Sequence, residues 1–460
     1  MAPADPLAGL EAGGQREPPF DMDTGAQAVL DRLWGQGHAA LVVGGAVRDA
    51  LLGLPTGDWD VATDAKPERI LEVFPDGSYE NRFGTVLVRG VEITTFRRDH
   101  HYADHRRPER VTFTDDVYED LARRDLTINA IAWGRGRPGS LPRLLDPADG
   151  LSDLRAGLVR AVGDPDARFD EDALRLLRAV RVAARLDFDL EPLTYAALVA
   201  HAPDVAWVSE ERIGSEVRRM LHAGTPSRAF GLLRQTGLLA VILPELAALA
   251  DEPPPGDGSA DLLAHSLEAL DAATAMAPDA ERVALAALLG GIGVEQHAAI
   301  GRILRRLRVS ARDVAAVERL VSASARSADS AGWGDTELRR FMRGTGRDLL
   351  DDLWTLRAAT DAASGRSLEV SGLTGLRERV GAQLAAGVPL ALSDLAVDGH
   401  DLALELGLAE GPAVGAILDR LLDAVLDDPT RNERSVLLQL VRVWLATDRP
   451  GSAHGVGSAG

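Results

Sequence analysis

The chain reads as an α+β protein, a mixed-sheet N-terminal domain followed by an all-α remainder. Two patterns predict this. From residue 26 to about 160, short apolar runs bounded by glycines and polar loops alternate with helical spacing; after Asp164-Pro165 almost every segment has the period of an amphipathic helix. Length adds a third observation, because 460 residues exceed one ordinary domain and favour several compact units.

The elements follow in order. An apolar run from Ala39 to Val43 enters Gly44-Gly45, and Ala46 to Leu52 then has helical spacing, which together read as strand, glycine turn and helix. Further strands are expected at Trp59 to Ala62, Thr85 to Val88, Glu92 to Phe96 and Arg110 to Phe113. Beyond them Ala173, Leu176, Leu177, Val180 and Ala184 form one apolar stripe on a helix expected to run from Glu171. A break rich in Pro, Gly and acidic residues at Asp251 to Gly258 marks a loop or domain boundary, and a weaker one lies near Gly387 to Pro389. The expected organisation is a disordered N-terminal tail over 1–25, a head over 26–160, a helical neck over 161–225, a helical body over 226–385, a helical tail over 386–448 and a disordered C-terminus over 449–460.

Composition narrows the chemistry. With no cysteine, disulfides, thiolate metal sites and cysteine nucleophiles are excluded, leaving carboxylates and histidines to hold a hard cation. No apolar stretch approaches the roughly 20 residues of a membrane span and the N-terminus has no signal core, so the expected location is the cytoplasm. A formal net charge of −20 argues against a protein coated in nucleic acid. Arginine is nevertheless concentrated at Arg97, Arg98, Arg106, Arg107, Arg110, Arg123 and Arg124, and again from Arg155 to Arg185, so an acidic protein can still carry a basic groove.

Asp58 and Asp60 stand at i and i+2, which on a strand directs both carboxylates to one face, where they can hold divalent ions. An isolated D-x-D would be a solvated strand start. What changes the reading is Val-Val-Gly-Gly-Ala-Val-Arg-Asp upstream, whose glycines let backbone N–H groups approach a phosphate. Asp172 and Arg175, with Arg178 a turn further on, share a helix face and would otherwise be a surface ion pair.

The ordered series L-V-V-G-G-A-V-R-D-A-L-L-G (Leu41 to Gly53), D-W-D-V-A-T (Asp58 to Thr63), F-G-T-V (Phe83 to Val86), F-R-R-D-H-H-Y-A-D-H-R-R-P (Phe96 to Pro108), D-L-A-R-R-D-L-T-I-N-A-I-A (Asp120 to Ala132), D-P-A-D-G (Asp146 to Gly150), R-F-D-E-D-A-L-R-L-L-R-A-V-R (Arg168 to Arg181) and S-E-E-R-I (Ser209 to Ile213) resembles the polymerase-beta-like nucleotidyltransferases. The resemblance is to the bacterial class that contains CCA-adding tRNA nucleotidyltransferases and poly(A) polymerases. It implies a nucleotidyltransferase head and template-independent addition of C, C and A from CTP and ATP to the 3′ end of tRNA, by two-metal chemistry with magnesium at Asp58 and Asp60 and release of pyrophosphate. Gly44, Gly45, Arg48, Arg124 and Asp125 would bind nucleotide, Asp172 and Arg175 would read the base edge, and Arg178 and Arg181 would lie toward the phosphates. A third carboxylate is open between Glu92 and Asp125. The Arg97 to Pro108 segment would be the family's flexible loop, whose retention favours full CCA addition.

Residues 259 to 293 resemble a degenerate HD-type phosphohydrolase body, keeping His265 but reading Gly290-Gly291-Ile292-Gly293 where such domains read H-D-I-G; a structural role is expected. Asp394 to Leu402 and Gly407 to Gly415 resemble the tail, which either meets tRNA phosphate or is a helical packing corner. Poly(A) polymerase and A-adding tRNA nucleotidyltransferase are the alternatives within the class, and a non-catalytic RNA-binding protein is the alternative outside it. No protein partner is expected.

Overall fold

The computed structural model describes residues 7, 9–13, 16–81, 84–100, 110–253, 261–293, 297–367, 372–408 and 411–447. They form two compact units: residues 1–250 with 303–309, and residues 251–302 with 310–460. The division falls at the acidic, proline-rich break. The segment from 226 to 250, expected to begin the body, packs with the first unit instead, through helix Pro226–Gln235 against helix Leu174–Leu186.

The first unit is built on a seven-stranded mixed sheet. Its strands are β1 (Ala40–Val43), β2 (Asp60–Thr63), β3 (Ser78–Asn81), β4 (Thr85–Val88), β5 (Val91–Thr95), β8 (Ala132–Arg135) and β9 (Arg143–Leu145). A separate hairpin pairs β6 (Arg97–His100) with β7 (Arg110–Phe113). The sheet order is β3-β4-β5-β2-β1-β8-β9, with β1 antiparallel to β2 and β8, and β2 parallel to β5. β1 is central and buried on both faces, which is why Ala-Leu-Val-Val is a continuous apolar run rather than an alternation. One face packs Leu41, Val43, Phe96, Leu121 and Leu145 into a core.

Helix α1 (Thr24–Gly35) starts at Asp23, whose carboxylate accepts from Gly25 N and Ala26 N, and it buries Val29, Leu30 and Leu33. Within the segment expected to be a structureless tail, Leu7 and Leu10 are buried, and Gly13 N donates to Leu144 O at 2.9 Å. The expected disordered C-terminus over 449–460 lies outside the described residues, as do Phe83 and residues 101–108 of the expected flexible loop.

The second unit is helical. Helices Leu262–Met276, Glu281–Leu289, Ala311–Ser327 and Leu350–Ala363 pack together, and a further cluster of Leu402, Leu421, Val425, Leu437 and Val441 joins helices Gly399–Leu406, Pro412–Asp427 and Arg434–Thr447. Arg339, buried, donates to Leu426 O at 2.6 Å and Asp427 O at 3.2 Å, satisfying the carbonyls that the end of helix Pro412–Asp427 leaves without partners. No helix among the described residues is long and apolar enough to cross a membrane.

Candidate active site

The site is assembled where β1 ends. Gly44 follows it with φ of +83°, and a Cβ there would lie 3.2 Å from Arg124 Nη1 and 3.5 Å from Asp60 Oδ2. Both the left-handed backbone and the close approach require glycine. Helix α2 (Gly45–Leu51) then begins immediately beside Asp60. The expected helix therefore forms, one residue earlier than its apolar spacing suggested.

Asp60 opens β2, opposite Val43, and Asp58 precedes the strand; Trp59 between them is buried while Asp58 is exposed. β5 pairs in parallel with β2 and sets Glu92 in register with Asp60. Glu92 is exposed between buried Val91 and Ile93, the alternation of a half-buried strand. Three carboxylates thus gather at one edge of the sheet. Burial, above all, lifts the Asp60 carboxyl to about 6; the Arg124 guanidinium pulls it down, and Glu92 and Asp58 push it up. Among the described residues none of the three carboxylates has an ion-pair partner. Oxygen donors that repel one another and form no ion pair are the set a hard divalent ion such as magnesium fits.

Asp125, the other candidate for third carboxylate, has a different environment. It is 8 % exposed. Its Oδ2 accepts from Arg178 Nε at 2.6 Å, and its Oδ1 accepts from Leu126 N at 2.9 Å and Asn129 Nδ2 at 3.1 Å. Burial alone would raise its carboxyl, but the Arg178 charge and these hydrogen bonds hold it well below the usual carboxylate range. Its lone pairs are committed to the protein. Arg178 in turn is held firmly charged by Asp125. Arg124 and Arg123 are fixed by buried Asp120, which accepts from Arg123 Nη2 at 2.7 Å and lies 3.5 Å from Arg124 Nη2.

Two polar cavities meet at Arg178. One, of about 310 Å³, is walled by Arg123, Asp125, Asp172, Arg175 and Arg212; the other, of about 340 Å³, by Gly45, Arg48, Asp58, Arg181 and Arg185. Arg48 is buried, with Nε donating to Asp49 at 2.8 Å and Nη1 to Asn129 Oδ1 at 2.6 Å. A continuous chain therefore runs from Arg48 through Asn129 and Asp125 to Arg178, tying the two cavities together. Arg181 is anchored on Glu216 and Arg185 on Asp49.

One expectation is corrected. Asp172 and Arg175 do not share a continuous helix, because helix Pro165–Glu171 ends before Asp172, which is extended at φ −151° and ψ 104°, and a new helix starts at Leu174. The Asp172 carboxylate accepts from Leu174 N at 3.1 Å, the local bond by which Asp competes with helix continuation. Its other oxygen accepts from Arg212 Nη2 at 2.6 Å. Arg175 pairs with Glu171 rather than Asp172 and donates to the carbonyls of Arg168 and Arg123, each at 3.1 Å. The pair expected along one helix face is replaced by an Asp172–Arg212 pair bridging two elements. Sequence reasoning did not single out Arg212, although the S-E-E-R-I element contains it. Arg212 Nη1 and Arg124 Nε are buried without a partner among the described residues.

A second group, Asp170, His201 and Asp204, brings its ligand atoms within 4.8 Å of one another. Both ring nitrogens of His201 are already bonded, Nδ1 to Asp204 at 2.8 Å and Nε2 to Asp166 at 3.0 Å, so protonated histidine is the cation of this cluster.

Comparison with known proteins decides the family. Residues 40–160 match the model of the poly A polymerase head domain, residues 187–249 that of a probable RNA and SrmB-binding site of polymerase A, and residues 277–441 that of a putative tRNA nucleotidyltransferase domain 2. The CCA-adding enzyme of Geobacillus stearothermophilus is 35 % identical over 436 residues, spanning 93 % of this chain and 97 % of that protein. The chain belongs to the CCA-adding enzyme family. It is accordingly a nucleotidyltransferase. The CCA-adding enzyme of Levilactobacillus brevis is 34 % identical over 90 % of the chain and 96 % of its own length. Among solved structures, the Bacillus stearothermophilus CCA-adding enzyme in complex with CTP superposes with a TM-score of 0.71 at 30 % identity, covering 93 % of this chain and all of that one. The Thermotoga maritima CCA-adding enzyme complexed with tRNA, at 18 % identity and a TM-score of 0.56, shares the fold.

Proposed function

We propose that this chain adds C, C and then A to the 3′ end of tRNA, taking them from CTP and ATP without a nucleic-acid template. The observation that carries the reading is the meeting, at Arg178, of a phosphate-sized basic cavity beside unpaired carboxylates with a second cavity lined by base-edge donors and acceptors. In this scheme the tRNA 3′-hydroxyl oxygen bonds to the α-phosphorus of the incoming nucleotide as the bond to pyrophosphate breaks. Asp58, Asp60 and Glu92 would hold two magnesium ions. Bound there, magnesium supplies charge neutralisation at phosphorus and acidifies the attacking hydroxyl.

The protein's own groups do the rest. Backbone N–H groups at Gly44 and Gly45 and the guanidinium groups of Arg48, Arg181 and Arg185 orient the triphosphate. Arg124, crowded against Gly44, lies where an α-phosphate would pass between the carboxylates and the base cavity. Asp172 as acceptor with Arg175 and Arg212 as donors can complement the edge of cytosine or adenine. Asp125 positions Arg178 and is not a metal ligand in this assignment.

The test is extension of tRNA lacking its terminal trinucleotide by the purified protein with magnesium. CTP alone should extend it to C-C and stop, and ATP should then complete the end once. A long ladder with ATP alone would assign a poly(A) polymerase. Extension only of tRNA already ending in C-C would assign an A-adding enzyme, and no extension of any substrate would leave an RNA-binding protein.

A further inference from the structure

The second unit holds a cavity of about 310 Å³ that none of the chemistry above uses. It opens where helices Leu262–Met276, Glu281–Leu289, Ala311–Ser327 and Leu350–Ala363 pack, because small residues face one another there, including Ala286, Gly290 and Ser324. Its size is at the lower end of the range for small-molecule sites. Most of its wall is apolar, and its charged and ionisable groups are few, Arg357, Arg366 and His265.

Arg357 is 6 % exposed, lines the cavity, and has a buried Nε with no partner. Its other bonds are long, 3.3 Å from Nη1 to Ser324 O and 3.3 Å from Nη2 to Asp361 Oδ1, against about 2.9 Å for an ordinary N–H to oxygen bond. Asp361 is fully buried and its Oδ2 also lacks a partner. Arg366, about half exposed, stands on the cavity wall with its Nε 4.0 Å from Asp361. His265, 7 % exposed, completes the polar wall, and the described residues give its ring no hydrogen bond. Burial lowers its pKa, so it is a neutral imidazole there. Arg357 and Arg366 thus bring two guanidinium groups to the wall of an apolar chamber, with Asp361 behind them and Glu268 acting on His265.

We propose that this cavity binds a small organic anion, its acidic head against Arg357 and Arg366 and its apolar part between Leu262, Ala286 and Val321. The head is a carboxylate or a phosphate monoester, since a guanidinium fork accommodates both.

The test uses the full-length protein and calorimetric titration with hexanoate, phenyl phosphate, neutral hexanamide and inorganic phosphate. Hexanoate, phenyl phosphate or both should bind saturably, and hexanamide and inorganic phosphate at least about tenfold more weakly, because each lacks one half of the recognition. Arg366→Gln removes charge at a half-exposed position, and Ala325→Phe narrows the cavity from an exposed position; each should weaken the organic anion at least about tenfold while melting temperature and nucleotide incorporation stay unchanged. Tighter phenyl phosphate assigns the natural ligand to phosphate esters, tighter hexanoate to carboxylates. Equal binding of hexanamide, indifference to both substitutions, or no saturation below about 10 mM would overturn the proposal and leave a hydrated packing defect.

Discussion

The edge of the sheet and the cavity beside it treat charge in opposite ways. At the sheet edge Asp58, Asp60 and Glu92 are neighbours without ion-pair partners among the described residues, and burial above all, with Glu92 and Asp58 adding to it against the pull of Arg124, drives the Asp60 carboxyl upward. Both carboxylates that line the cavity have an arginine, Asp125 with Arg178 and Asp172 with Arg212, and Arg175 on its wall pairs with Glu171 behind it. An uncompensated cluster is completed only by a cation, whereas a compensated network is already rigid and offers fixed donors and acceptors. On the proposed function, chemistry and selection are thereby given opposite electrostatics, and Asn129 and Arg178 tie the two cavities together.

The largest effect should come from the sheet edge. On the proposed assignment Asp60→Ala removes a metal ligand, a loss worth several kcal/mol in the transition state, so single-turnover incorporation should fall by about 10³-fold or more while tRNA affinity changes little. A rate near that of the unaltered protein would mean that the carboxylate cluster is not the reaction centre.

Next comes the contrast between the two candidates for third carboxylate. Glu92→Gln should cost about 10²-fold in rate and raise the magnesium concentration required. Asp125→Asn should leave the magnesium requirement alone and instead destabilise the first unit by about 2 kcal/mol, since it loosens the charged hydrogen bond to Arg178. Magnesium titrations of both variants, with melting curves, separate the roles; a shifted magnesium requirement in Asp125→Asn alone would reverse the assignment.

These contrasts also mark what a sequence can carry. The positions of Gly44 and Asp60 were legible because their signals are local, a glycine run ending a strand and an apolar run opening the next; the expected period of two did not hold for Asp58, which stands before the strand rather than on it. Glu92 stayed undecided beside Asp125 because its role depends on β5 pairing in parallel with β2, a register that no local pattern encodes. The break at Asp172 was missed for another reason. The apolar stripe of Leu176, Leu177 and Val180 is genuinely helical, and only the capping bond to Leu174 N starts that helix two residues after Asp172. Arg212 lies 40 residues from the carboxylate it holds, so pairing was invisible without the fold.

Arg212→Ala tests that bridge directly. Truncation leaves Asp172 capping Leu174 N but free to turn, so discrimination between CTP and ATP should relax by about tenfold, with total incorporation falling less. Unchanged preference would move base reading elsewhere, most directly to Arg175, whose donors reach the same cavity.

The smallest effect belongs to the clamp behind Asp172. His201 ties helix Pro165–Glu171 to the segment carrying Asp204, donating from both ring nitrogens. Burial lowers its pKa, but bonds to Asp204 and Asp166 and the charge of Asp170 outweigh this, so the folded value is raised. A raised value means the clamp contributes fully below the unfolded pKa of about 6.5, and its contribution is lost as pH rises through the folded value. Because Asp166 and Asp170 are largely exposed, solvent screening limits it to under about 1 kcal/mol. His201→Gln should therefore lower the melting temperature by a few degrees at pH 6 and hardly at all at pH 9, with base selection intact. Equal destabilisation at both pH values would mean that His201 acts by packing against Phe169, whose ring centroid is 6.5 Å away, rather than by charge.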